Sequence, residues 1–155
     1  MMRIWMLVLG TLNLTAGQPG VPVEFIGGTL PGLAPHSSAR LYLPAPDALV
    51  LQCGRTELTI PYQKIVTVKY GQDAEHASVG AILIAPTRLL SKLRKHFVTI
   101  SYTDADGQPQ ALVIRVEKGD IHTVLAVLEA RSGRPVEYQD PDARKSRSSD
   151  TSQRK

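Results

Sequence analysis

Apolar and polar positions alternate in short runs along most of this chain. In residues 21–26 (VPVEFI), Val23 and Phe25 share one face. In residues 39–43, Ala39, Leu41 and Leu43 lie opposite Arg40 and Tyr42. A period of two marks a strand with one face in the core. Residues 48–53 predict a third strand, on which Cys53 shares the parity of Leu49 and Leu51. The Gly54–Arg55 pair predicts a tight reversal into a fourth strand, residues 56–60, with Leu58 and Ile60 facing inward. Residues 64–70 predict a fifth, in which Val66, Val68 and Tyr70 alternate with Thr67 and Lys69. Pro61 at the junction predicts an edge position or a bend, because proline cannot donate to a sheet ladder.

Residues 96–103 and 110–116 alternate on either side of Asp104, Ala105, Asp106 and Gly107, and so predict a hairpin. A helix follows. Ile121, Val124, Leu125 and Leu128 fall on one face at helical spacing. Asp120 is placed to act as its N-cap, and Gly133 stands where a C-terminal cap belongs. Residues 136–138 can add a short extended piece. The expected fold is therefore mainly β: a bent antiparallel sheet or barrel of six to seven strands with one C-terminal α-helix. A parallel α/β fold is not expected, because no helix crosses between strands before the end.

The ends of the 155-residue chain read differently. Arg3 precedes an apolar run at residues 4–14, and Thr15, Ala16 and Gly17 are small. This is the order of a secretory signal peptide, here 1–17, and it predicts an exported protein, periplasmic or secreted. The run is shorter than the ~20 apolar residues that span a bilayer. Residues 139–155 hold almost nothing apolar and predict a disordered polar tail. Between them, the domain at 21–138 has roughly 118 residues, enough for one modest core.

Charge and candidate chemistry narrow the functional classes. A net charge of +4 is too mild to predict a nucleic-acid binder. The single Cys53 rules out an intrachain disulfide and predicts a small buried side chain. His36, His76, His96 and His122 are scattered without metal-ligand spacing and read as solvated. Asp104 and Asp106 belong to a turn, with too few further oxygen ligands for calcium. Ser37 and Ser38 beside His36 lack an oxyanion-hole motif. No cofactor, metal site or catalytic residue is predicted, and a non-enzymatic protein is expected.

The run TELTIPYQKIVTVKYG, residues 56–71, resembles the strand–I-P-Y-x-x-I–strand signature of bacterial PH-like and GRAM-like domains. Residues 95–138 are similar to the C-terminal half of uncharacterised bacterial exported proteins. The resemblance implies a PH-like scaffold and leaves the activity open. Many PH domains bind phosphoinositides through basic residues in the first inter-strand loop. Here that loop, residues 27–38, has no Lys or Arg, and His36 is its only potential cation. Phosphoinositide is not expected at that site.

Residues 72–95 do not fit a simple hairpin. Their centre, VGAILIA at 79–85, is apolar or glycine, and a basic shoulder follows. Ile82, Leu83, Ile84, Arg88, Lys92, Arg94 and Lys95 are the candidate contact residues. An apolar tip beside cations has the composition of an interfacial membrane anchor that favours anionic lipid. The same residues can cover the open side of the barrel or meet a protein partner. The leading expectation is a binding or interaction module of the cell envelope, with an unknown protein partner. The alternatives are a peripheral membrane protein on an anionic surface and an enzyme with an unrecognised site.

Overall fold

The computed structural model describes residues 19–72, 95–139, 141, 144 and 145. Eight strands form one curled sheet: β1 (Val21–Gly28), β2 (Ser37–Tyr42), β3 (Ala48–Cys53), β4 (Thr56–Pro61), β5 (Ile65–Gly71), β6 (His96–Thr103), β7 (Pro109–Val116) and β8 (Val136–Tyr138). A 3-10 turn at Tyr62–Lys64 joins β4 to β5, and helix α1 spans Ile121–Ser132. The spatial order is β4-β3-β2-β1-β7-β6-β5-β8. Two antiparallel meanders therefore meet where β1 pairs with β7, and the sheet stays an open half-barrel with β4 and β8 at its ends.

The inward parity follows the sequence pattern. Phe25, Leu41, Leu49, Leu51, Ile60, Val68, Ile100, Leu112 and Ile114 belong to one core cluster. Helix α1 closes it with Ile121, Val124, Leu125 and Leu128, and packs on the 3-10 turn and β5. Full burial of an aliphatic side chain contributes roughly 1.5–3 kcal/mol, so this helical face is a large share of what anchors α1. Gly133 ends the helix in the left-handed region at φ 66°, where its N–H donates to the Glu129 carbonyl at 3.0 Å. Asp120 sits at the other end, but its side chain makes no capping hydrogen bond.

Several local expectations are corrected. The strand count is eight, because β8 adds to β5, and it does so in parallel. In β5, Val66 is the exposed member, at 49%, whereas Ile65, Val68 and Tyr70 are buried. A register shift between Ile65 and Thr67 resets the alternation there. A second shift, between Phe25 and Gly27, bends β1 against β7. The hairpin of β6 and β7 has both faces buried along its centre. Phe97, Thr99, Ala111 and Val113 on the outer face are as inaccessible as their inward neighbours. Cys53 is partly buried rather than fully so, and its thiol faces the Ser38 carbonyl at 3.6 Å.

Candidate functional site

Ile82, Leu83, Ile84, Arg88, Lys92 and Arg94 lie outside the described residues, as do the expected signal peptide and most of the polar tail. Lys95 is described and half-buried, immediately before β6. The sheet gives it company that the sequence does not announce. His96 opposes Val116 in the β6–β7 register, so the chain leaving β7 runs past it. Lys118 and His122 then act on His96 electrostatically. Burial first, and then the nearby His122 and Lys118, hold the His96 pKa below its ordinary value, while Glu117 opposes them. The β7–α1 connection thus brings Lys118, Glu117 and His122 near His96 at the start of β6, which Lys95 precedes in the chain.

His96 is not a solvated histidine. Its Nδ1 lies 2.6 Å from the Tyr70 hydroxyl, and the two rings stack with centroids 5.9 Å apart. The lowered pKa favours the neutral imidazole, whose Nδ1 accepts the hydroxyl proton. Gln72 Nε2 donates to the same hydroxyl at 3.3 Å, and Tyr138 of β8 meets Tyr70 edge-on.

A second concentration of charge lies on the outer face of β1, β2, β3 and β7. An open depression of about 740 Å³ is lined by Glu24, His36, Ser38, Arg40, Gln52 and Arg115, among others. Outward parity puts Glu24, Arg40 and Arg115 on that face, and the β2-β1-β7 order makes them neighbours. Arg115 Nη2 donates to Glu24 Oε2 at 2.6 Å, and His36 Nδ1 donates to Glu24 Oε1 at 2.9 Å. His36 is the only non-glycine residue at positive φ among the described residues, at 61°. Such a conformation costs of order 1 kcal/mol or more, and the Glu24 bond offsets it by tying the loop end to β1. Arg40 is exposed and has no ion pair among the described residues.

The arrangement suits recognition. The Arg115–Glu24–His36 chain forms one wall, and beside it stands a guanidinium with no ion pair among the described residues. Arg40 presents a planar fork of donors that matches a carboxylate or phosphate. Among the described residues no group of three His, Cys, Asp or Glu side chains is placed to hold a metal ion, and no helix is long and apolar enough to cross a membrane. Sequence reasoning passed over this depression because its charges come from strands far apart in the chain. The available signal was parity, since Glu24, Arg40 and Arg115 each stand on the outward side of a strand. No protein-family model matches the chain, and comparison with curated proteins finds no match.

Proposed function

We propose that this chain is an exported, non-enzymatic binding module of the cell envelope, on a PH-like scaffold, that holds an acidic segment of a protein partner in the depression over β1, β2 and β7. The observation that carries this reading is Arg40, an exposed guanidinium with no ion pair among the described residues, beside the Arg115–Glu24–His36 chain. Two meanders followed by a helix agree with the scaffold implied by the IPYQKI run. The apolar run at residues 4–14 with small residues behind it supports export. The test is crosslinking capture from envelope fractions with tagged wild-type chain and with Arg40→Glu. A partner captured by the wild type and lost at least tenfold by the variant is expected. Equal capture by both removes the depression from the reading. Terminal sequencing of the exported protein bears on the compartment: a chain that still begins at Met1 removes the cleaved leader.

A second reading is favoured by Lys95, immediately before β6, and Lys118, in the connection that leaves β7 opposite the start of β6. Lysines attract an anionic membrane surface. Flotation with vesicles containing anionic lipid at low salt decides it. Binding that weakens in Lys95→Glu and Lys118→Glu is expected, and wild-type protein that stays in the soluble fraction ends it.

A further inference from the structure

Among the described residues, the outer edge of β4 is the longest strand edge that the fold leaves open. β4 ends the strand order, and Thr56, Glu57, Thr59 and Pro61 are all exposed. Its register fixes which backbone groups face out. Gly54, at φ 60°, and Arg55 form the two-residue loop between Cys53 and Thr56. The pair flanking such a loop exchanges both hydrogen bonds, and bonded pairs then recur at every second residue. Thr56, Leu58 and Ile60 therefore bond to β3. The Tyr62 N–H continues the series, donating to the Asp47 carbonyl at 3.0 Å. The N–H and C=O of Glu57 and Thr59 must point away from β3, and Pro61 occupies the next outward position, where its missing N–H costs the sheet nothing.

We propose that β4 pairs antiparallel with β4 of a second copy of this chain, about a two-fold axis through Leu58. This register places Glu57 opposite Thr59 of the second copy, and all the outward N–H and C=O groups of both residues are satisfied reciprocally. Centring the axis on Glu57 would set two carboxylates face to face, which is destabilising. Centring it on Thr59 would set Glu57 opposite Pro61 and leave the Glu57 carbonyl without a donor. Only the Leu58 register avoids both. It also puts Leu58, already packed on the edge of the core, against its own copy as a non-bonded pair, the type in which side chains approach most closely. Proline then stops the ladder at each end. The ladder is short, so the dimer is weak and concentration-dependent. It does not depend on what occupies the depression.

Sedimentation velocity of the purified full-length chain over a wide concentration range reads this association. A monomer–dimer equilibrium is expected. Thr59→Pro removes an outward N–H that β3 does not use, and is expected to be monomeric with unchanged circular dichroism. Leu58→Lys brings two ammonium groups together at the axis and keeps the question open should the proline variant fail to fold; it too is expected to be monomeric. In a Cys53→Ser background, Leu58→Cys is expected to form a disulfide-linked dimer on mild oxidation, whereas Glu57→Cys, which does not face itself, is not. A wild-type chain that stays monomeric throughout overturns the proposal. So does a folded Thr59→Pro or Leu58→Lys that dimerises like wild type, or equal crosslinking at 57 and 58.

Discussion

Two buried tyrosines differ by one hydrogen bond. The Tyr62 hydroxyl donates to the Leu43 carbonyl at 2.9 Å, and burial pushes its pKa up. The Tyr102 hydroxyl is buried with no hydrogen-bond partner among the described residues. A phenylalanine should therefore have opposite effects at the two sites. Tyr62→Phe leaves a buried carbonyl unmet and is expected to cost about 1–3 kcal/mol in urea unfolding. Tyr102→Phe removes an unmet hydroxyl and is expected to leave stability unchanged or raise it by about 1 kcal/mol. His96 gives a pH dependence. Its folded pKa lies below the unfolded value of about 6.5. Between the two, the unfolded chain holds more protons, so stability rises with pH. The contribution is complete above about pH 6.5 and is lost as pH falls toward the folded pKa. His96→Asn is expected to flatten the urea-midpoint profile in that window. An unchanged slope would place the titration elsewhere. No single-residue pattern revealed this role, because the Tyr70 partner lies across a strand pair.

At the scale of elements, alternation and helical spacing were enough for β2, β3, β4, the β6–β7 hairpin and α1. The hairpin turn behaves as its composition predicts. Asp104 Oδ1 accepts from the Asp106 and Gln108 N–H groups at 2.9 and 2.8 Å, which lowers its pKa. Local chemistry failed where tertiary pairing shifted a register. The reset in β5 turns Val66 outward, and the one in β1 brings Gly28 against β7. A Cβ at Gly28 would stand 2.6 Å from the Ala111 carbonyl oxygen. Backbone cannot yield there as a side-chain tip would, so Gly28→Ala is expected to cost about 1–3 kcal/mol by overpacking. A thermal melt matching wild type would show that β1 can slide. Asp120 occupies the expected N-cap position, but its side chain makes no capping hydrogen bond, because its backbone lies in the helical region at φ −105° and ψ −16° and follows directly from the turn before it.

At the scale of the molecule, one core cluster is shared by the sheet and α1. Sheet and helix should therefore unfold together. Leu128→Ala is expected to cost about 2–5 kcal/mol and to shift the far-ultraviolet and tyrosine-fluorescence transitions by the same amount. Transitions that separate would show α1 to be an independent unit.

Hydrophobic patterning by itself determined that this is a mainly β chain with one terminal helix, and which residues of β2, β3, β4 and α1 face the core. Those properties are local, set by side-chain periods of two and 3.6. The candidate sites were legible only in part. Lys95 stood out in a basic run, but Lys118 and His122 did not, and Glu24, Arg40 and Arg115 gave nothing beyond their outward parity. Only the tertiary structure decided that β1 joins β7, that β8 adds in parallel, and that the curl remains open with β4 at its edge. Strand order is a matter of long-range pairing, which the alternation within a strand does not encode. Any strand with one apolar face can bury it beside several others, and the partner it takes decides which charges meet.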